Sequence, residues 1–464
     1  MQSNVRFVLG GSYGDRYQRT GEVADLVEAI ECNTRALELT PEGHPSLPDR
    51  HASLGMSYTD RYRRIGEVAD LVKAIECDTR ALKLTPDGHP SLADRYASLG
   101  GSYGDRYKRT GKVAYLIKAI ECKNRALELT SDGHPRLPGR QASLGVSYID
   151  RYQRTGEVAD LVKAIECLTC ALKLTPDGHP ALPDRHANLG VSYTNRYRRT
   201  GEVADLVKAI ECLTRALKLT PDGHPALPDR HANLGVSYTN RYRRTGEVAD
   251  LVKAIECLTR ALELTPGGHP SLPDRHASLG GSYGDRYERT GEVEDLVKAI
   301  ECLTRALELT PDGHPDLPDR YASLGGSYGN QYRRTGEVAD LVKAIECNTR
   351  ALKLTPDGHP RLPCRHASLG VSYTDQYQRT GEVADLFKAI VCDTRALELT
   401  PDGHPDLPDR HASLGVSYTD RYRRTGEAAD LARAIECHTR ALALTPGGHP
   451  DLSKLLPAPH WSTS

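Results

Sequence analysis

The chain has 464 residues, with 61 Lys and Arg against 62 Asp and Glu, so its formal net charge is −1. This balance argues against a general nucleic-acid or membrane-surface binder, because such proteins carry an excess of basic residues. Charged residues make up 27% of the chain and hydrophobic residues 38%, which is typical of neither a disordered nor a membrane-spanning protein.

The amino-terminal segment and the cysteines bear on the cellular compartment. Residues 1–11 contain one Arg and a short apolar patch, and lack the apolar core of roughly 7–15 residues found in a secretory signal. The chain has 12 cysteines and no Asn-x-Ser/Thr sequon, which favours a reducing environment. We therefore expect a cytoplasmic protein.

The dipeptide His-Pro recurs at a constant spacing of 45 residues. A fixed period of roughly 20–50 residues is typical of solenoids and repeat arrays. We therefore divide the chain into repeats 1 to 10: an incomplete first repeat (residues 1–45), nine 45-residue repeats (46–450) forming one continuous solenoid, and a tail (451–464) that we expect to be flexible. The ten histidines are His44, His89, His134, His179, His224, His269, His314, His359, His404 and His449.

Each repeat predicts two helices. In residues 46–90, Pro48 and Asp49 suit the first turn of a helix, and Gly66 supplies its left-handed end. A second helix opens at Glu67 and stops before Pro86. One helix pair cannot bury its own apolar face, so neighbouring repeats must stack. The predicted fold class is all-α, an α-α superhelical solenoid of about ten helix-turn-helix repeats.

The repeat resembles a tetratricopeptide repeat. The matching residues are Leu54, Gly55 and Tyr58 in the first helix and Ala74, Ala81 and Pro86 in and after the second. The repeat has 45 residues where the family standard has about 34, as in kinesin-light-chain-like members. Its segments RTGE, DLVKAI, LTPDGHP and LPDR are similar to arrays of mushroom-forming fungi that often accompany CHAT protease domains. No segment of the chain resembles such a protease.

One position in the second helix divides the middle repeats from the outer ones. Repeats 4 to 7 carry leucine there, whereas other repeats carry polar or charged residues. This difference predicts looser packing toward the ends of the array. The leucines are Leu168, Leu213, Leu258 and Leu303, and the polar residues are Asp78, Lys123, Asn348, Asp393 and His438.

No pattern of catalytic residues stands apart from the repeat. Ten cysteines share one position in the second helix, which favours a half-buried packing role, and the His-Pro histidines fall in loops between repeats. The single Cys-x-x-Cys, Cys167 and Cys170, has no second pair to complete a zinc site. We therefore predict no enzymatic activity, no cofactor, no metal site and no small-molecule substrate.

The resemblance implies a ligand groove lined by the first helix of each repeat. Its contact positions form a stripe whose successive members are four, three and four residues apart. Asparagine at two of these positions offers a hydrogen-bond donor and acceptors to a peptide backbone. The same asparagines are also explained by neutral sequence drift from the Ser and Asp that other repeats carry there. The stripe residues are Asp184, Asn188, Val191 and Asn195 in repeat 5, and Asp229, Asn233, Val236 and Asn240 in repeat 6.

We therefore predict a non-catalytic protein–protein interaction scaffold that binds extended peptide segments in this groove. Peptide clamps of the family that grip a terminal carboxylate use Lys or Arg at the first stripe position, where this chain has Asp in seven repeats. The resemblance thus implies partners that are other proteins, through neutral or basic segments, and no membrane.

Two alternatives remain open. The resemblance to the fungal arrays allows a regulatory or sensing array of a CHAT-protease-linked system. The basic, aromatic segment Arg196–Arg199 allows a nucleic-acid-binding helical array. The second alternative is less favoured, because Glu202 and Asp205 follow directly and predict an ion-paired rim.

Overall fold

The structure, a computed structural model, describes residues 2–445, so the expected flexible tail lies outside the described residues. These residues form helices and connecting loops, without a strand. First helices have 19 residues and second helices 16 or 17. The helices are α1 (Gln2–Thr20), α2 (Val23–Glu38), α3 (Leu47–Ile65), α4 (Val68–Leu84), α5 (Leu92–Thr110), α6 (Val113–Glu128), α7 (Leu137–Thr155), α8 (Val158–Lys173), α9 (Leu182–Thr200), α10 (Val203–Lys218), α11 (Leu227–Thr245), α12 (Val248–Glu263), α13 (Leu272–Thr290), α14 (Val293–Glu308), α15 (Leu317–Thr335), α16 (Val338–Leu354), α17 (Leu362–Thr380), α18 (Val383–Glu398), α19 (Leu407–Thr425) and α20 (Ala428–Leu444).

The residues predicted to begin and end the helices do so in the structure. In repeat 2 the first helix carries Pro48 in its first turn and ends at Gly66, whose φ of 83° is left-handed. The Gly66 N–H donates to the carbonyl of Tyr62 at 2.7 Å, which satisfies a carbonyl in the last turn. Glu67 is extended and opens the second helix. The atypical start of repeat 1 still forms a helix, α1, as long as the other first helices.

The chain divides into two compact halves, Met1–Arg244 and Thr245–Ser464. In the first half α2 packs against α3, α4 against α5, α6 against α7 and α8 against α9. In the second half α12 packs against α13, α14 against α15, α16 against α17 and α18 against α19. Each half therefore stacks consecutive helix pairs, and the predicted class, an α-α superhelical solenoid of helix-turn-helix repeats, is confirmed.

The core runs between repeats rather than within each one. One apolar cluster joins Leu116 of repeat 3, Leu144 and Leu168 of repeat 4, and Leu189 of repeat 5. Full burial of a leucine contributes about 1.5–3 kcal/mol relative to an exposed one. Because each repeat contributes to two such contacts, its second helix is shielded only when neighbours are present.

The variable position of the second helix is buried in several outer repeats and half-buried at Lys123 and His438. Asp78 and Asp393 are each 4% exposed, although they replace a leucine. The hydroxyl of Ser102 in the next repeat donates to the Asp78 carboxylate at 2.8 Å. Lys123 likewise donates to Ser147 in the next repeat at 2.7 Å. At Asp78 and Lys123 a serine of the following repeat thus satisfies the polar group. The looser packing toward the ends of the array stays a prediction.

A cluster of charged and aromatic side chains holds the two helices of a repeat together. In repeat 5 the Arg196 guanidinium donates to both carboxylate oxygens of the buried Asp205, at 2.7 and 2.5 Å. Arg196 and Lys208 also lie over the Tyr193 ring, at 5.4 and 5.6 Å from its centroid. The predicted ion pairing of this arginine is thus present, and the partner is buried rather than at a solvated rim.

The His-Pro loops share one hydrogen bond. The Nδ1 atom of His224 accepts from the backbone N–H of Ala226 at 3.1 Å, just before α11 begins. The same contact is made in all nine described loops, by His44, His89, His134, His179, His224, His269, His314, His359 and His404. The histidine therefore orders the loop, which agrees with a structural role.

None of the helices between residues 2 and 445 combines the length and the apolar character needed to cross a membrane.

Candidate functional site

A groove of about 870 Å³ runs along the first helices of repeats 2, 3 and 4. Its lining includes Ser98 and Ser143, which are equivalent to Asn188, and Met56 and Gly101, which are equivalent to Val191. Asp60, the equivalent of Asn195, lines it as well. The stripe positions of repeats 2 to 4 therefore face one continuous concavity.

The predicted stripe residues themselves lie on α9 and α11. The two aspartates, Asp184 and Asp229, are exposed, and the other six residues are half-buried. The backbone carbonyl of Asn188 accepts from Ser192 at 2.8 Å, and that of Asn233 accepts from Ser237 at 2.9 Å. Their amide side chains make no contact with a ligand in the described structure, so a role in binding stays a prediction.

The first stripe position is already engaged within the chain. Arg230 at the start of repeat 6 donates to Asp184 of repeat 5 at 2.5 Å, and Arg320 donates to Asp274 at the same distance. Arg95, Arg140 and Arg365 make the same contact with Asp49, Asp94 and Asp319. These arginines were not predicted from the sequence. The segment Asp-Arg recurs in most repeats, and the aspartate of one repeat pairs with the arginine of the next, 46 positions later.

The fourth stripe position changes chemistry along the array. In repeats 2 to 4 it is an aspartate, and burial raises the pKa of Asp60 and Asp150. Arg63 reaches forward to Asp105 of the next repeat at 3.0 Å. Repeats 5 and 6 carry Asn195 and Asn240 instead. The fourth stripe position therefore bears carboxylates in repeats 2 to 4 and amides in repeats 5 and 6.

This change leaves one guanidinium without a carboxylate partner. Arg198 of repeat 5 is equivalent to Arg63, but the residue equivalent to Asp105 is Asn240. Burial lowers the pKa of the Arg198 guanidinium, as does the nearby charge of Arg243. Cationic and amide groups thus replace the ion pairs of the preceding repeats.

Glycines at the third stripe position leave the groove open. A Cβ atom at Gly11 or Gly326 would have no neighbour within 4 Å. By contrast, a Cβ at Gly190, in the preceding position, would lie 2.6 Å from Leu213 Cγ. Gly11 and Gly326 therefore make no close packing contact and leave open space at the third stripe position. Gly190, by contrast, permits the close approach of two helices.

The cysteines of the second helix are poorly suited to nucleophilic chemistry. Burial raises the pKa of Cys212 and Cys257 to about 11, so both stay protonated thiols at neutral pH. Within residues 2–445 no three His, Cys, Asp or Glu side chains are grouped so as to hold a metal ion. The described chemistry of the groove is therefore hydrogen bonding and charge.

Comparison with known proteins identifies the repeat. The family model described as tetratricopeptide repeat matches residues 92–136 and 187–226, which cover repeat 3 and most of repeat 5. No curated protein matches the chain. Repeats 5 and 6 differ at only two positions, Lys218/Glu263 and Asp222/Gly267, so the segment matched in repeat 5 represents repeat 6 closely.

Three solved structures illustrate the similarity. An IFIT1 monomeric mutant with m7Gppp-AAAA is 16% identical, with 96% of this chain and 90% of that one covered and a TM-score of 0.47. The APC/C hetero-tetramer Cut9-Hcn1 is 14% identical, with 98% and 96% covered and a TM-score of 0.40. A Podosopora anserina putative kinesin light chain with nearly identical TPR-like repeats is 16% identical, with 47% and 98% covered and a TM-score of 0.35.

Proposed function

Because the chain is a tetratricopeptide repeat protein, we propose that it is a non-catalytic scaffold that holds extended peptide segments of other proteins in its groove. One observation carries the proposal. The groove of about 870 Å³ follows the first helices of three successive repeats, and the stripe residues Met56, Ser98 and Ser143 line it. A continuous concavity of this kind fits a chain that runs past several repeats.

The side chains of the stripe support a peptide rather than a compact ligand. Asn188 and Asn233 lie one repeat apart and each offers both a donor and acceptors, which match the alternating N–H and C=O groups of an extended backbone. Near-identical repeats also offer the same contacts many times. Binding strength would then come from several weak contacts made at once.

The charge of the groove beside repeat 2 supports neutral or basic segments there. Asp60 lines the groove, and its carboxylate favours a neutral or basic group next to it. In repeat 5, Asp184 contributes little to such a preference, because Arg230 neutralises it. The described cysteines are free thiols, which supports a reducing compartment such as the cytoplasm.

The test compares two double variants of the full chain. Asn188→Arg with Asn233→Arg places two long cations in the predicted stripe. Val162→Arg with Val207→Arg adds the same charge on exposed positions of second helices. We expect affinity capture to lose its bound proteins with the first pair and to keep them with the second. Equal recovery with both pairs would remove the groove assignment.

The same capture separates the alternatives. Recovery of a protease, retained by the groove variant, would favour a sensing array of a CHAT-protease-linked system. Retention of RNA that disappears steeply as salt is raised would favour a nucleic-acid-binding array. Captured proteins that survive nuclease treatment and are displaced by a peptide from their own sequence would support the scaffold.

A further inference from the structure

Repeat 4 lacks a hydrogen-bond acceptor that the other repeats have. In most repeats the fourth residue is an aspartate, which accepts from the arginine at the fifth position of the next repeat. This fourth residue is Asn4 in repeat 1 and Cys364 in repeat 9. Both substitutes still accept from the next repeat, Asn4 from Arg50 and Cys364 from Arg410. Repeat 4 carries Gly139, which has no side chain to offer.

The arginine that faces this gap is Arg185. It is 7% exposed, and its one described side-chain hydrogen bond runs from Nη1 to the carbonyl of Ala171 at 3.3 Å. Its Nε has no partner, and neither does its Nη2, the atom that bonds the aspartate in other repeats. Burial lowers the pKa of Arg185, and no carboxylate opposes that effect. A buried guanidinium with five N–H donors thus makes one described hydrogen bond.

The gap is open to the groove. A Cβ atom on Gly139 would have no neighbour within 4 Å. Gly139 and Arg185 both line the groove of about 870 Å³, together with Arg136 and Arg140. A group that enters the groove therefore reaches the donors of Arg185 without moving a helix.

The surrounding charge favours an anion. Arg136 and Arg140 both donate to Asp94, so three guanidinium groups share one carboxylate at this end of the groove. Arginine and a carboxylate form two parallel hydrogen bonds when the geometry allows, which makes the carboxylate the matching ligand. In the equivalent pair the Nη2 of Arg230 donates to one carboxylate oxygen of Asp184, which shows that this arginine position accepts a carboxylate.

We propose that the gap between Gly139 and Arg185 binds the side-chain carboxylate of an Asp or Glu in the bound peptide, which takes the place of the aspartate missing from repeat 4. The inference rests on the proposed function for the identity of the ligand, and it adds one acidic residue to an otherwise neutral or basic segment. The site itself can be tested without any peptide.

The first experiment uses acetate, which carries the same carboxylate, on the full chain. At constant ionic strength we expect acetate in place of chloride to raise the melting temperature by about 1–2 °C. Gly139→Asp should raise the melting temperature in chloride and abolish the acetate response, because it fills the gap from within. Gly139→Asn, which has the same shape without charge, should give a smaller rise in chloride.

The converse variant creates a second site. Asp184→Gly removes the acceptor of Arg230 and should roughly double the acetate response of the wild type. An acetate response that Gly139→Asp leaves unchanged, or that Asp184→Gly fails to increase, would overturn the site. A response to inorganic phosphate tenfold stronger than to acetate would overturn the carboxylate assignment.

Peptide capture then distinguishes the two proposals. If the acetate responses follow the pattern above but the groove variant Asn188→Arg with Asn233→Arg captures normally, the site stands and the peptide function fails. If that groove variant loses its partners while Gly139→Asp keeps them all, the function stands and the carboxylate site fails. Loss of a subset of partners with Gly139→Asp, and not with Gly139→Ala, supports both.

Discussion

Two buried carboxyl groups show how single residues set the properties of a repeat interface. Asp78 and Asp393 lie between consecutive repeats, where most of the equivalent residues of the middle repeats are fully buried leucines. Burial raises the pKa of each carboxyl to about 6, against an ordinary value of 3.8. Serines of the following repeats, Ser102 and Ser417, donate to them and oppose this shift only partly.

The raised pKa predicts a loss of stability with rising pH. Between about pH 4 and pH 6 the folded chain binds more protons at these two sites than the unfolded chain, so the free energy of unfolding falls as pH rises through this window. Asp78→Asn with Asp393→Asn should remove this contribution, worth up to about 2–3 kcal/mol for each carboxyl. The native Asn348, which donates to Ser372 at 3.0 Å, shows that the amide fits.

Urea unfolding followed by circular dichroism at pH 4.5 and pH 7.5 checks this expectation. The difference between wild type and double variant isolates the two carboxyls from all other titrating groups. The variant should gain more at pH 7.5 than at pH 4.5. An equal effect at both values would show that the carboxyls titrate as exposed groups do.

The sequence could not anticipate these contacts. A polar residue in place of leucine on an apolar face indicates weak packing when only its own repeat is considered. Its partner, such as Ser102 for Asp78, lies 24 residues away on the next repeat. The stripe positions of Asn188 and Asn233, in contrast, follow from the resemblance to the family. The arginines that neutralise the first stripe position escape prediction for the same reason as the serines, because each lies on the next repeat.

Adjacent glycines within one helix have opposite roles. In α15 a Cβ atom at Gly325 would lie 2.9 Å from Asn348 Cγ and 3.2 Å from Cys347 Cβ, where the second helix of the repeat comes closest. A Cβ at Gly326 would have no neighbour within 4 Å. The helix boundaries follow from proline and glycine in the sequence, but composition alone does not distinguish these two interior glycines.

Alanine at the two positions should therefore have opposite effects. Gly325→Ala forces the helices apart and should cost about 1–3 kcal/mol. Gly326→Ala adds helix propensity without a clash and should stabilise the chain by up to about 1 kcal/mol. The midpoints of urea unfolding measured side by side provide the comparison, and a loss of stability with both variants would contradict the assignment of Gly326 to an open face.

At the scale of the whole molecule, the all-α class was predictable because the sequence pattern of one helix pair recurs ten times. The core confirms why the pairs must stack, since leucines of three successive repeats share one cluster. The change from carboxylates to amides along the groove floor was visible in the sequence at Asn195 and Asn240, but its effect on Arg198 required the neighbouring repeat in three dimensions.

A single repeat should be unable to fold. A synthetic peptide of residues 181–225 would expose both sides of its second helix, and isolated short helices are marginal in water. We expect its circular dichroism at 25 °C to show little helix, whereas the full chain is strongly helical. A cooperative thermal transition for this peptide would contradict the dependence of each repeat on its neighbours.

The contact between Arg230 and Asp184 joins equivalent positions of consecutive repeats, and the same is true of Arg320 and Asp274. If recombination between near-identical copies inserts or deletes a whole multiple of 45 residues, the new junction restores the contact with an equivalent pair. Copy number can therefore vary without leaving a buried charge unpaired at any junction that brings together one of these aspartates and an arginine; a new copy of repeat 4, with Gly139, is the exception. Any other length of insertion breaks that register, so this architecture favours inheritance in whole-repeat steps.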